Sequence, residues 1–461
     1  MSTKIHFLLL ILKLLIMEKF EKMKIVNPRA AGIDVGSKSH FVGINQNEKD
    51  VREFGVYSKD HQAMIEHLKQ NLIASVAMES TGSYWQTLFF ALQEAGFEVL
   101  LVSGHQTKNL RAKTDVKDCQ WIQKLHSLGL LRGSFLPSQE TARLRILHRH
   151  RMSLIEEASK MTNKMQKALR LMNLRLDVVI NDITGKSGTA IITAILEGER
   201  NGKTLSMLAD SRVRKSKEEI ANALQGHWSD EYLLELQDCF DIYQLLQRKI
   251  ESCDTEIEKL LKQFTKHNEN KIEIKLKKKQ LKGKNQPKID LLNLSYLYYG
   301  VDLFAIEGVS SGTVLTLHSE IGQDIYKFQS AKQFSSFLRL APNNRISGGK
   351  IISSRTPKGA NRLAIALRNA ANTIENVKKG ALYNFFKRIA YKKGRGAAIT
   401  ATARKLSVII WNMIVKKQEY NPINEDDYNY EMKQKKIHTI RNLMKNSNIL
   451  IDEISETYIL S

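Results

Sequence analysis

Five side chains in this sequence have the types and spacing for phosphate chemistry. Asp34 ends the apolar run in GIDVGSKSH, Glu79 closes ASVAME, Asp115 and Asp118 lie three residues apart in KTDVKD, and Ser347 precedes two glycines in RISGGK. Four carboxylates gathered in one cleft repel each other unless a cation joins them. Hard oxygen ligands at that density match Mg2+, with Mn2+ as the alternative. Two such ions about 4 Å apart can activate an attacking oxygen and stabilise a leaving one in phosphodiester cleavage. Taken singly each acid is ordinary: Asp115 and Asp118 suit a solvated helix face between Lys113 and Lys117, and Glu79 suits a helix cap before SYW. Their order along the chain argues for a shared site.

The elements that would position them follow from periodicity. AAGIDV (30–35), HFVGI (40–44) and VREFGVY (51–57) read as strands close enough to be hairpin neighbours. DHQAMIEHLKQNL (60–72) has helical spacing with Asp60 as a cap, and ASVAME (74–79) reads as a buried strand. The helical SYWQTLFFALQEAG, the buried strand FEVLLVSG (97–104) and a polar helix carrying KTDVKDCQWIQKLHSLGL complete the region. Antiparallel strands followed by alternating helices and parallel strands is the element order of an RNase H-like α/β domain. In such a sheet the first and fourth strands are neighbours, which would set Asp34 beside Glu79 and let the following helix present Asp115 and Asp118. Actin-like ATPases and sugar kinases open similarly, but they need a second Gly-rich phosphate loop and an adenosine-binding Gly pair, and neither stands in a convincing position.

Ser347 lies in a different context. FLRLAPNNRISGGKIISSRTPKGANRLAIALRNAAN (337–372) surrounds a Ser-Gly-Gly-Lys turn with Arg345, Lys350, Arg355, Lys358, Arg362 and Arg368, candidates for nucleic-acid binding. Glycine admits a close approach and the cations stabilise developing negative charge. A serine nucleophile needs a base or strong electrostatic activation, and no His is near in sequence, so the residues alone favour phosphate binding over attack. Upstream, FAIEGVSSGTVLTLHSEIG (304–322) resembles a helix-hairpin-helix, whose helix N-termini can hold a phosphate; Gly308 and Gly312 read equally well as structural turn residues. KRIAYKKGRG (387–396) adds a basic patch with one aromatic.

The bulk composition agrees. The chain has 461 residues with 71 Lys+Arg against 48 Asp+Glu, a formal charge of +23. Such an excess favours a polyanion, with nucleic acid ahead of a membrane surface. Cys119, Cys239 and Cys253 are too scattered for a disulfide framework or a zinc site, which suits a reducing cytosol. The run HFLLLILKLLIM is interrupted by Lys13, lacks a small-residue cleavage site and is too short to span a bilayer. It reads as a leader, with Met17 and Met23 as candidate natural starts.

The expected organisation is a leader over 1–27, an acid-bearing α/β domain over 28–137 and a helical, coiled-coil middle over 138–268. A Lys-rich linker over 269–299, a mainly α domain over 300–420 and a peripheral tail over 421–461 follow.

Together, GIDVGSKSHFVGI, AMESTGSYWQTL, KTDVKDCQWI, IEGVSSGTVLTLHSEIG and APNNRISGGK followed by PKGANRLAIALRNAA resemble, in order, the motifs of the DEDD-type insertion-sequence transposases, also described as bridge-RNA-guided recombinases. The resemblance covers about residues 28–415. It implies a RuvC-like N-terminal domain whose metal-binding acids are Asp34, Glu79, Asp115 and Asp118, and a C-terminal serine transposase domain whose nucleophile is Ser347. It further implies a phosphoserine link to DNA, a composite site in which acids and serine come from different subunits of a homo-oligomer (dimer or tetramer), and a structured guide RNA pairing with donor and target DNA. A metal ion brought in by another subunit would replace the base that Ser347 lacks. No membrane partner is expected, and the implied location is a bacterial-type cytoplasm near the nucleoid. The alternatives are a metal-dependent, structure-specific nuclease resembling junction resolvases, or a non-catalytic DNA- or RNA-binding protein. The sequence departs from the family at Glu307, where Pro is common, in its longer Lys-rich segment and in the leader.

Overall fold

In AAGIDV every residue but Asp34 is buried, as in a strand covered on both faces. This strand, β1 (Ala30–Val35), pairs antiparallel with β2 (His40–Gly43), and β2 pairs antiparallel with β3 (Arg52–Phe54). Along its other edge β1 pairs parallel with β4 (Ser75–Glu79), and β4 pairs parallel with β5 (Glu98–Val102). The resulting five-stranded mixed sheet has the order β3-β2-β1-β4-β5, compatible with an RNase H-like fold. The computed structural model describes residues 23–107, 114–267, 283–359, 361–422 and 425–446. The chain divides into two compact units between Leu136 and Pro137.

Three longer helices accompany the sheet among the described residues. Helix α1 (Ser58–Gln70) and α2 (Trp85–Glu94) bring Met64, Leu68, Leu88 and Leu92 into a core with Ile33 and Met78, all fully buried. Each such side chain contributes about 1.5–3 kcal/mol of transfer free energy. Asp60 is not the cap of α1 but its third residue. Its carboxylate reaches back to accept the Tyr57 N–H at 3.0 Å, the bond that the third helical residue makes in a capping box. Helix α3 (Asp115–Ser127) starts at the N-cap Thr114, whose Oγ1 accepts the Lys117 N–H at 3.3 Å.

Two glycines fix where α3 lies. Gly32 and Gly43 are direct partners across the β1–β2 ladder. A Cβ on Gly32 would overlap the backbone of Gln123 and Cys119, and one on Gly43 would come within 3.2 Å of Cys119 Sγ. The paired glycines thus leave a flat spot on which the α3 backbone rests. The leader expected over 1–27 lies mostly outside the described residues. Of its final residues, Val26 and Asn27 donate N–H bonds to Ser127 O at 2.8 and 2.9 Å, tying them to the end of α3.

The second unit is mostly helical. Two long helices, α4 (Gln139–Leu171) and α6 (Asp230–Thr265), pack on each other, and the intervening chain, including α5 (Lys186–Leu196), supplies Leu176, Ile191, Ile192 and Ile195 to a core shared with Met165, Leu236 and Phe240. The pair is therefore enlarged by a helical cluster rather than being a bare coiled coil. Arg151 on α4 meets Asp254 on α6 at 2.5 Å with both side chains almost fully buried.

The linker expected over 269–299 is corrected at its C-terminal end. Residues 268–282 lie outside the described residues, but Arg151 donates to Asn285 O, Lys288 N–H donates to Asp254, and LLNLSYLYY forms the helix α7 (Leu291–Tyr299), almost wholly buried. Lysine density masked an apolar helix directly after it. Helix α7 packs with α8 (Ser311–Glu320), and α8 with α9 (Arg362–Val377); α10 (Ala381–Lys393) and α11 (Arg395–Lys416) complete the bundle. Among the described residues α11 alone is long and apolar enough to cross a membrane, but half of it is buried in this unit, where it acts as a core helix. Glu307, at the position that departs from the family, accepts from Tyr420 Oη at 2.5 Å. Helix α12 (Glu425–Asn446) forms the tail; residues 447–461 lie outside the described residues.

Candidate active site

In the first unit the strand ends bring two acids together. The β1–β4 register runs from Ala30 opposite Ser75 to Ile33 opposite Met78, so Asp34 and Glu79 are the next residues on adjacent parallel strands. Both are half-buried. Glu79 is no helix cap: α2 begins six residues later. Instead Thr107 Oγ1, from the one-turn helix Gly104–Thr107 after β5, donates to Glu79 Oε2 at 2.5 Å. Gly104 makes room for the same carboxylate, since a Cβ there would overlap Glu79 Oε1.

Asp115 and Asp118 occupy the first turn of α3, Asp115 exposed and Asp118 half-buried. The unsatisfied N–H groups and dipole at a helix start favour carboxylates there by about 0.3–1 kcal/mol. The contact of α3 with Gly32 and Gly43 carries this turn toward the end of β1. Cys119 registers the approach: its thiol is pushed up to about 12, mainly by burial, then by the charge of Asp34, with a smaller contribution from Asp118. Among the described residues no three His, Cys, Asp or Glu side chains are grouped closely enough to hold a metal ion. The donor set is nonetheless all oxygen. Mg2+ retains several waters and takes only one or two protein carboxylates beside substrate phosphates, so the Asp34–Glu79 pair fits it without a closed protein cage.

In the second unit, Ser347 lies at the end of β6 (Arg345–Ser347), joined to β7 (Lys350–Ser353) by Gly348 and Gly349. Both glycines have positive φ, +54° and +74°, the requirement of a type I′ two-residue hairpin. The SGGK sequence is thus a hairpin tip in an otherwise helical region. Ser347 is exposed and stands directly across the ladder from Lys350, so both side chains share one face of the hairpin. Arg345, Lys350, Arg355 and Lys358 are exposed on or just after it; Arg362 is exposed at the start of α9 and Arg368 is half-buried one and a half turns on. In the basic patch of α10, Tyr391 is 92% exposed.

Thr107, Gly104 and the Gly32–Gly43 pair were not among the expected site residues. A glycine inside a strand signals close backbone approach, so Gly32 was detectable; Thr107 carries no sequence signal.

A mixed sheet that sets two half-buried acids side by side at parallel strand ends makes the first unit an acid-bearing α/β unit compatible with an RNase H-like fold, followed along the chain by a mostly helical unit. Sequence comparison narrows the class. A DEDD-type IS110 transposase family model matches residues 31–174, and a second model, transposase IS116/IS110/IS902 family, matches residues 302–386. The transposase for insertion sequence element IS1111A of Coxiella burnetii (strain RSA 493 / Nine Mile phase I) is 28% identical over 122 residues, 25% of this chain and 33% of that protein's length. The chain belongs to the IS110-type DEDD transposases.

Proposed function

We propose that this protein is a transposase that moves an insertion sequence by DNA strand exchange, with a RuvC-like N-terminal domain over 28–137 and a serine transposase domain over 300–420. The observation that carries this reading is the adjacency of Asp34 and Glu79 at the ends of two parallel strands, within the segment matched by the DEDD transposase model.

Asp34 and Glu79 are the pair that would hold Mg2+ (or Mn2+), with Asp115 and Asp118 on the first turn of α3 the further acids of the DEDD set, and the ion when bound would offset charge on the phosphate and on the reacting oxygens. Thr107 fixes the Glu79 carboxylate by its hydrogen bond. Ser347 Oγ attacks a DNA phosphorus, forming a phosphoserine ester while the leaving deoxyribose oxygen takes up a proton. Lys350, across the ladder from Ser347, stabilises the extra charge on the phosphoryl oxygens. Arg345, Arg355, Lys358, Arg362 and Arg368 hold backbone phosphates. A second strand's hydroxyl then displaces Ser347 from the ester. A structured RNA from the element selects the donor and target, and the protein works as a homo-oligomer. The net charge of +23 supports both polyanionic partners.

Strand transfer between element-end and target DNA, with guide RNA and Mg2+, tests the reading. Asp34→Asn and Glu79→Gln should abolish transfer, a loss of at least about 100-fold, while RNA binding and the circular dichroism spectrum are kept. Full transfer by either variant would refute it.

A further inference from the structure

An apolar surface that the packing of the second unit does not use stands on the β6–β7 hairpin. Every residue from 342 to 352 is exposed, and a Cβ on either tip glycine, Gly348 or Gly349, would meet nothing within 4 Å. The base of the hairpin is tied down: Asn343 N–H donates to Arg355 O at 3.0 Å, and Arg339 Nη1 donates to Lys358 O. The ribbon therefore projects from the helices on an anchored stem.

On this ribbon Ile346 stands directly opposite Ile351, at 63% and 60% exposure, and Ile352 beside them is 71% exposed. Side chains alternate across a strand, so the Ile346–Ile351 pair occupies the face opposite to Ser347 and Lys350. Ile352 is the extra residue of a bulge: Arg345 pairs with Ser353 while Ile346 pairs with Ile351, and a bulge re-aims the side chain it inserts. Strand propensity accounts for a β-branched residue at these positions but not for an apolar one, since threonine serves a solvent-facing strand equally well. Isoleucines clustered in water mark a surface that another molecule covers.

The surroundings choose the occupant. From residue 325 to residue 374 the sequence holds no Asp or Glu, while Arg345, Lys350, Arg355 and Lys358 flank the apolar pair. Two such hairpins packed through their isoleucines would bring those cations together, which opposes a second copy. DNA supplies both halves of the complement, anionic phosphates for the cations and flat apolar base faces for the isoleucines. A two-stranded ribbon is also narrow enough to enter the major groove.

We infer that the Ile346–Ile351 face is a wedge that packs on unstacked bases beside the phosphate exchanged at Ser347 and holds the two DNA strands apart there. Apolar side chains inserted at a base step unstack and kink it, and the added contact offsets the cost. Ile346 and Ile351 are positioning residues, touching bases and not the reacting atoms. The inference rests on the reading of Ser347 as facing a DNA phosphate, and names the part of the DNA that the other face of the same hairpin takes.

The test uses full-length protein, guide RNA, Mg2+ and element-end duplexes carrying 2-aminopurine at successive positions across the element junction. Wild type should raise the fluorescence of 2-aminopurine beside the exchanged phosphate, because unstacking relieves its quenching. Ile346→Thr/Ile351→Thr keeps β-branched residues in the ribbon. It should keep the wild-type melting temperature, lose the fluorescence rise and lower strand transfer about 10–100-fold on fully paired DNA. A duplex with a mismatched base pair at the same step should restore most of that transfer, because the step is already open. A transfer defect that the mismatch leaves unchanged would make the isoleucines structural and overturn the wedge. Wild-type transfer and fluorescence in the double variant, or a covalent adduct formed by wild type with the 2-aminopurine still quenched, would overturn it and leave the transposase reading intact. A changed subunit count by sedimentation, or lost binding to phosphatidylglycerol vesicles, with wild-type fluorescence in the double variant would give the face to a second copy or to a membrane and overturn it as well. Neither transfer nor adduct by wild type on any of these duplexes would sink the wedge and the transposase reading together.

Discussion

Thr107 Oγ1 donates to Glu79 Oε2 across 2.5 Å, so the acid at the end of β4 is oriented by the turn that follows β5. Groups that orient a metal-binding carboxylate matter to activity by about 10–100-fold when removed. Thr107→Val should reduce strand transfer by that factor with little change in melting temperature, and Thr107→Ser should restore it. Full activity in Thr107→Val would show that the bond does not position Glu79.

Gly32 is where α3 touches β1, and its Cβ has no space because the obstructing atoms are backbone. Gly32→Ala should destabilise the protein by about 1–3 kcal/mol, the usual cost of overpacking, measured as a lower urea midpoint. It should also depress strand transfer at temperatures where the variant stays folded, because α3 carries Asp115 and Asp118. An unchanged midpoint would mean that the helix yields freely.

His318 is fully buried between Tyr298 and Tyr299, with ring centroids 4.7 and 4.6 Å away and neither nitrogen hydrogen-bonded in the protein. Burial lowers its pKa to about 3 from the ordinary 6.5. The unfolded chain therefore binds a proton more readily than the folded one. The stability contributed by the neutral ring is complete above pH 6.5 and is lost as pH falls from 6.5 toward 3. At pH 5 the loss from this residue is about 2 kcal/mol. His318→Phe should be neutral or stabilising at pH 7 and should flatten the decline of urea stability between pH 7 and pH 5. An equally steep decline in the variant would assign the acid sensitivity elsewhere, with His148 and His40, each held down to about 4, next in line.

The sheet was legible because its strands are short apolar runs and each acid sits where one of them ends. AAGIDV and ASVAME, read as strands, lead to the β1–β4 pairing and so to Asp34 beside Glu79. The support around Glu79 was not legible, since Thr107 reaches it only after the chain crosses β5 and turns. Helix α7 was missed because Lys-rich composition dominates the stretch before it, although LLNLSYLYY is apolar enough to be buried on its own reading. Asp60 was displaced by three positions because an acid is favoured both at the cap and at the third helical residue, each satisfying a different backbone donor at the helix start. The geometry of Ser347 followed from two glycines, which permit the positive φ of a hairpin tip; its cross-strand partner Lys350 is a consequence of register.

The central claim is that Ser347 is the atom donor for the bond to DNA. Purified protein incubated with labelled element-end DNA, guide RNA and Mg2+, then separated under denaturing conditions, measures it directly. The account predicts a covalent protein–DNA band with wild type, mapping to the peptide that holds Ser347, and none with Ser347→Ala. An adduct of equal yield with Ser347→Ala, or strand exchange by that variant, would contradict it.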